Sequence, residues 1–251
     1  MLTVQNLRKS FGGVSAMNGI SLHFEPDSLT AVIGPNGAGK TTFFNLVTGA
    51  FKPDAGRVLL AGEDIAGLSP PEIVRRGVGR AFQIASVFPS LTVREAILGA
   101  VNAHQRRHAK LARRFPLAAA QAPADEVMEL VGLTARARTL SGNLSHGDQK
   151  LLDIALALAL EPRVLLLDEP TAGMGPEERW QMIETVHALW ERKKMTLIFI
   201  EHDMDIVFKY AQTIRVLSYG TVLAEGGPDE IRRNPQVIEA YLGSHFEAQP
   251  A

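Results

Sequence analysis

The chain predicts an α/β fold: a mostly parallel sheet under helices, an antiparallel β edge and an inserted helical subdomain. Three observations carry that prediction. Residues 30–33, 164–167 and 197–200 are short apolar runs bounded by turn or charge signals, the pattern of strands buried on both faces of a parallel sheet. Each run ends in a polar or glycine-rich junction: Gly34-Pro35-Asn36-Gly37, Asp168-Glu169-Pro170 and Glu201-His202-Asp203. Open α/β sheets collect ligands at the carboxyl ends of their strands, so three loaded junctions point to one site. Residues 92–160 read as mainly helical, with Gly132 and Gly142 as punctuation.

In chain order, residues 2–4 and 57–61 read as short strands with glycine-containing turns nearby, and 214–217 with 222–224 repeat that pattern near the other end. These give the antiparallel edge. Residues 42–48 can start a helix directly after the first junction. Residues 177–193 place Trp180, Ile183, Val186 and Trp190 on one helical face, with Pro176 in a plausible first turn. If the strand pleat continues past residue 167, Asp168 and Glu169 point to opposite sides. Residues 100–124 hold Arg106, Arg107, Lys110, Arg113 and Arg114. They read as a solvated helix face and loop, with a surface near anionic lipid as the alternative. The whole chain, 1–251, reads as one domain, with about 84–160 as the inserted helical subdomain.

Composition narrows the function classes. Lys and Arg number 26 against 27 Asp and Glu, a formal net charge of −1, whereas a protein devoted to nucleic acid usually shows a basic excess. There is no cysteine, which removes disulfides, thiolate metal sites and cysteine nucleophiles and suits a reducing compartment. Residues 1–6 show no charged stretch before an apolar run, so no secretory leader is expected. The most apolar stretch, 154–160, falls far short of the roughly 20 residues that cross a bilayer.

The first junction carries the strongest chemistry. Gly34-Pro35-Asn36-Gly37-Ala38-Gly39-Lys40-Thr41 fits G-x-x-x-x-G-K-[ST] in full. Glycines let the backbone wrap a phosphate chain with its N–H groups inward, and the following helix offers its positive end to the anion. Lys40 supplies a point charge to the β- and γ-phosphates, and the Thr41 hydroxyl ligates Mg²⁺. At the second junction, an acid at the end of a buried strand can hold Mg²⁺ through water while its neighbour polarises an attacking water. His202 gains interest from its place at the third strand end.

These residues together resemble the nucleotide-binding subunits of ATP-binding-cassette (ABC) transporters, over nearly the whole chain. Lys9-Ser10-Phe11-Gly12 is similar to the adenine-stacking loop, with Phe11 where the family most often has tyrosine. Gly34 through Thr42 match Walker A, Arg80-Ala81-Phe82-Gln83 the glutamine loop, and Leu144-Ser145-His146-Gly147-Asp148-Gln149 the signature motif. Val164 through Pro170 match Walker B, Thr171 through Pro176 the D-loop, and His202 the switch histidine. His146 replaces the first signature glycine, Asp148 the glutamine, and Gly175 the D-loop aspartate. The signature wording, Pro170-Thr171-Ala172-Gly173-Met174, Glu201-His202-Asp203-Met204 and Val237-Ile238-Glu239-Ala240-Tyr241-Leu242-Gly243 resemble the branched-chain amino-acid importer subgroup.

The resemblance implies an ABC ATPase fold and an ATPase with ATP and Mg²⁺ as cofactors. It implies Glu169, His202, Gln83 and Lys40 as catalytic residues. Phe11, Gly34, Pro35, Asn36, Gly37, Ala38, Gly39, Lys40, Thr41, Thr42, Ser145 and Gly147 would contact nucleotide. Thr41, Gln83 and Asp168 would serve the metal. Implied partners are a second ATP-binding subunit in a homo- or heterodimer, polytopic permease subunits, and indirectly an extracytoplasmic solute-binding protein, but no nucleic acid. The implied location is the cytoplasmic face of the inner membrane, peripheral and bound through the permease. Residues 84–93, with Phe88 foremost, are the expected permease contact. Urea or amide import and lipopolysaccharide-type export share this machinery. A soluble non-transport ABC protein fits less well, because only 61 residues separate Gln83 from Ser145, too few for a long coiled coil.

Overall fold

A computed structural model describes residues 1–81, 88–105 and 118–242, and the side chains of all of these except Ala118 and Leu242. Gln83, Ile84 and Val87, the basic run from Arg106 to Arg114, and Gly243 therefore lie outside the described residues. The chain packs as two units, 1–73 with 196–251, and 74–195.

The first unit holds two sheets. One is antiparallel, in the order β2 (Val14–Phe24), β1 (Leu2–Phe11), β4 (Ala55–Leu60), β5 (Glu63–Asp64). In the other, β3 (Leu29–Ile33) lies between β8 (Thr196–Ile200) and β9 (Thr213–Ser218), parallel to both, and β10 (Thr221–Gly226) adds an antiparallel edge. Every residue of β3 and β8 is buried, as their continuous apolar wording predicts. The expected antiparallel edge thus divides: strand 214–217 joins the parallel ladder, and residues 2–4 and 57–61 belong to a separate sheet. β2 escaped the sequence reading. Gly19 at φ +77 and several register shifts against β1 break its alternation, and a bulged strand loses its period-2 signal. Arg215 of β9 ties these layers together. It donates to the His23 carbonyl of β2 at 2.8 Å and pairs with Glu225 of β10. Burial pulls its guanidinium down to about 10.

Helix α1 (Lys40–Val47) follows β3 and buries Phe43, Phe44, Leu46 and Val47. Its Phe43 ring stacks on Phe24 of β2, 6.0 Å between centroids. Each such side chain stabilises by about 1.5–3 kcal/mol when fully buried. Short α7 (Met204–Tyr210), α8 (Pro228–Arg233) and α9 (Pro235–Val237) complete this unit, ending in a π turn, Ile238–Leu242. Helix α2 (Pro70–Arg76) carries the chain out of it.

The second unit pairs β6 (Val78–Ala81) with β7 (Val164–Asp168) in parallel. Between them come α3 (Val93–His104), α4 (Ala118–Leu130), two 3₁₀ turns and α5 (His146–Leu158), the helical stretch the sequence predicts. Thr92 starts α3 with a capping box: Glu95 donates its backbone N–H to the threonine hydroxyl and accepts from Thr92 N. Helix α6 (Pro176–Lys193) follows β7, with Pro176 in its first turn as expected. Its buried stripe is Met182, Ile183, Val186 and Leu189. Trp180 and Trp190, expected on this face, are half-exposed at its margin.

Candidate functional site

In the first unit, the turn from β3 into α1 is built by backbone approach. A Cβ on Gly34, at φ +147, would sit 2.1 Å from the Leu217 carbonyl oxygen; one on Gly39, at φ +102, would sit 2.6 Å from the Ala16 oxygen. Only glycine permits both the close approach and the positive φ. The β9–β10 turn braces the loop from behind: Gly220 donates its N–H to the Ala38 carbonyl and accepts from Asn18 N. Gly39 offers no side-chain cap to α1, and its first turn carries no acid. The opening N–H groups of the helix therefore keep their positive end for an anion. Asn36, Gly37 and Thr41 are exposed, Thr42 is half-exposed, and Pro35 and Ala38 shape the turn.

Lys40 is buried, and its Nζ donates to the carbonyls of Gly34 (2.7 Å) and Pro35 (3.1 Å). The ammonium thus lies folded against the loop that would cradle phosphate. Phe11, 42% exposed, ends β1, edge-on to Phe51 at 5.2 Å, with Lys9 Nζ 5.4 Å from its ring centre. Asp54 pins this strand end by accepting from Lys9 and from Ser10 N, and those bonds hold its carboxyl below the usual range. At the end of β8, Glu201 is buried, accepts from the His202 N–H at 3.1 Å, and leaves His202 exposed. Asp203 caps α7. Tyr241 of the terminal π turn has its phenol pushed up by burial and then by Glu201. That brings a residue of the subgroup-like C-terminal wording into the field of the carboxylate beside His202.

The second unit's site is made by side chains. Asp168 closes β7 and accepts from Arg80 Nη2 of β6 at 2.7 Å, both side chains almost wholly buried. Glu169 does not continue the pleat: its φ is +49. The strand alternation expected to send Asp168 and Glu169 to opposite sides therefore does not apply, and a left-handed turn sets the direction of Glu169. Such a conformation in a non-glycine residue persists only where its surroundings hold it. Two donors reach the Glu169 carbonyl: Ala172 N at 3.1 Å and the Nζ of Lys150 at 2.8 Å, which also donates to the Ala172 carbonyl at 3.0 Å. Lys150 and Asp153 lie three residues apart on α5 and are both buried. Burial pushes the Asp153 carboxyl up to about 7, with Lys150 pulling the other way. A small cavity lies among Ala81, Lys150, Ile154, Leu167, Asp168 and Pro170.

Ser145 caps α5, its hydroxyl accepting from Asp148 N at 3.1 Å. Asp148, where the commonest signature has glutamine, is met by Arg136 at 3.4 Å. His146 lies against Gly173, whose Cβ would come within 3.3 Å of its ring, and Gly147 faces Met174. The signature and the Pro170-to-Met174 segment beyond β7, both worded like the importer subgroup, therefore pack together. Gly175 begins α6, and its N–H donates to Glu178. Phe88 is described and 54% exposed. The 3₁₀ turn Ser141–Asn143 braces its segment, through Ser141 to the Leu91 carbonyl and Gly142 N to that of Pro89.

Sequence reading missed Lys150, the Arg80 partnership with Asp168 and the Gly220 turn. Lys150 left one trace: with Ile154, Ala157 and Leu158 it falls on the buried stripe of α5, where a lysine needs partners. Among the described residues no three His, Cys, Asp or Glu side chains gather as a metal site. The Thr41 hydroxyl and the Asp168 carboxylate are nonetheless hard oxygen donors, the type Mg²⁺ takes together with phosphate and water.

A family profile described as ABC transporter matches residues 17–172, and one described as branched-chain amino acid ATP-binding cassette transporter matches residues 221–247. The chain is 40% identical to the high-affinity branched-chain amino acid transport ATP-binding protein LivG of Escherichia coli K12, over 97% of this chain and 98% of that one. The structure of a nucleotide-free ATP-binding cassette from an ABC transporter superposes with a TM-score of 0.84 at 31% identity, over 97% and 99% of the two chains. That of cbiO1 from Clostridium perfringens, part of the ABC transporter complex cbiONQ, gives 0.80 at 30% identity, over 95% and 92%.

Proposed function

This chain belongs to the ABC transporter family as an ATP-binding cassette, an ATPase subunit of a transporter, and from that membership we propose that it powers import of branched-chain amino acids. The observation that carries the solute class is the 40% identity to LivG along 97% of the chain. The match of residues 221–247 to the branched-chain profile supports it.

In this reading the cradle of Gly34 to Thr42 binds the phosphates, and Lys40 turns from its loop carbonyls to the β- and γ-phosphates. Phe11 stacks on adenine. Glu169 polarises the attacking water, His202 contacts the γ-phosphate, and Gln83 senses the metal and water. Thr41 and Asp168, with Gln83, would hold Mg²⁺, which when bound neutralises phosphate charge. Ser145, Gly147 and the α5 N-terminus face the nucleotide of a second ATP-binding subunit, so ATP joins two half-sites and hydrolysis parts them. The helical subdomain at about 84–160 grips polytopic permease subunits, with Phe88 in the contact. No helix among the described residues is long and apolar enough to cross a membrane. The likeness to transporter cassettes supports a subunit held at the cytoplasmic face through its permease, with a solute-binding protein on the far side.

The test is a pull-down from gently solubilised native membranes with mass spectrometry. Two polytopic proteins and a second cassette are expected, and the accompanying binding protein should take leucine and not urea. Phe88→Ala should keep ATP binding and lose the polytopic proteins. Recovery of ribosomes or another soluble assembly in place of membrane proteins would overturn the transport role.

A further inference from the structure

We propose that Lys150 is a positioning residue for catalysis: from α5, it holds the Glu169 backbone in the left-handed turn that aims the Glu169 carboxylate. The inference rests on the proposed role of Glu169 in activating water.

Three observations meet at this lysine. Its side chain is only 5% exposed, and a buried ammonium demands acceptors and counter-charge. Its Nζ donates to the carbonyls of both Glu169 (2.8 Å) and Ala172 (3.0 Å), so it clamps the two ends of the turn that follows β7. Asp153, one turn along α5 and also buried, lies in its electrostatic field.

The clamp adds to the Ala172 N–H, which bonds the same Glu169 carbonyl at 3.1 Å, in holding a costly backbone conformation. Glu169 is a non-glycine residue at φ +49, one step beyond a fully buried strand. Extended backbone is the favoured state for such a residue, and returning to it would redirect the carboxylate. An Nζ bonded to the Glu169 carbonyl resists that rotation. The same helix begins at Ser145, whose N-terminus would meet the partner's nucleotide. Lys150 sits five residues on, so a displacement of α5 on closure passes through one rigid helical turn and one hydrogen bond to Glu169.

The test uses the purified full chain and four variants: Lys150→Met, Lys150→Arg, Glu169→Gln and the double variant Lys150→Met with Glu169→Gln. Lys150→Met should lower kcat for ATP by about tenfold or more, as displaced catalytic groups do, with KM and nucleotide affinity within about twofold. Lys150→Arg, which keeps charge and donors, should recover part of kcat. In the Glu169→Gln background the lysine substitution should change residual turnover no further, because its effect runs through that carboxylate. Should the methionine variant not fold, Lys150→Gln is read the same way beside its melting curve. An unchanged kcat in Lys150→Met, or a further tenfold fall in the double variant, overturns the proposal. Wild-type turnover in Glu169→Gln would instead remove the reading of Glu169 itself, a separate outcome.

Discussion

The phosphate cradle of the first unit and the acidic strand end of the second reach their geometry by opposite means. Between β3 and α1 the backbone does the shaping: Gly34 and Gly39 allow main chain to approach the Leu217 and Ala16 carbonyls where no Cβ would fit. Beyond β7 side chains arriving from elsewhere do the holding: Lys150 from α5 on the Glu169 and Ala172 carbonyls, and Arg80 from β6 on the Asp168 carboxylate. A cradle made of N–H groups binds any polyphosphate presented to it, whereas a carboxylate aimed by distant clamps does one chemical task and is easily misaimed. The first region should therefore fail in binding and the second in turnover.

Glu169→Gln applies the largest expected effect to that contrast. Loss of the carboxylate should cut steady ATP turnover by about 10²–10⁴-fold, the range of a general base, with nucleotide affinity retained. Phosphate-release assays beside equilibrium nucleotide binding give both numbers. If affinity falls in parallel with turnover, the two regions do not divide the labour as described.

Gly34→Ala presses on the other side. A methyl group placed 2.1 Å from a carbonyl oxygen at φ +147 should cost about 2–4 kcal/mol of stability in the first unit, through backbone strain and steric displacement. Nucleotide affinity should fall with it, while any bound ATP turns over normally. Thermal melts with and without nucleotide decide the matter: wild-type affinity would show that the loop tolerates displacement.

The same contrast explains what the sequence could and could not reveal. Gly34-Pro35-Asn36-Gly37-Ala38-Gly39-Lys40-Thr41 declares the cradle because its determinants are contiguous, and the buried strands β3, β7 and β8 declare themselves by unbroken apolar wording. The left-handed Glu169 was illegible, since the side chain that clamps it, Lys150, lies 19 residues away and an apolar strand ending in Asp-Glu announces no left-handed turn. The Trp180 and Trp190 face misled because a helical period locates a stripe without ranking which of its members is innermost. β2 was hidden by Gly19, whose bulge breaks alternation in a strand with four of its eleven residues exposed.

Asp153→Asn sharpens the picture of the second unit by titration. Burial raises this carboxyl from its ordinary 3.8 to about 7. Between those values the unfolded chain is ionised while the folded chain keeps the proton, so folding takes up a proton and stability falls as pH rises through that window. Above pH 7 the penalty is constant. Asparagine does not titrate, so the variant should gain on the wild type from pH 4 to 8, by about 2–4 kcal/mol with solvent screening allowed for. Urea unfolding at both pH values checks it; a pH-independent difference would mean the carboxyl is ionised throughout.

Phe11→Ala makes the finest cut, because it removes a side chain from the region argued to be built of backbone. The ring is 42% exposed at the end of β1, steadied by Phe51 and by Lys9, which Asp54 in turn fixes. A pre-positioned aromatic face of this kind adds about 1 kcal/mol of stacking on a base, so ATP affinity should drop about fivefold with kcat unchanged. Phe11→Tyr should bind as the wild type does, since the ring face is what stacks. Inorganic triphosphate, which has no base, should bind both proteins equally. If triphosphate binding weakens as well, Phe11 supports the fold of the strand end and the backbone cradle depends on side chains more than its glycines suggest.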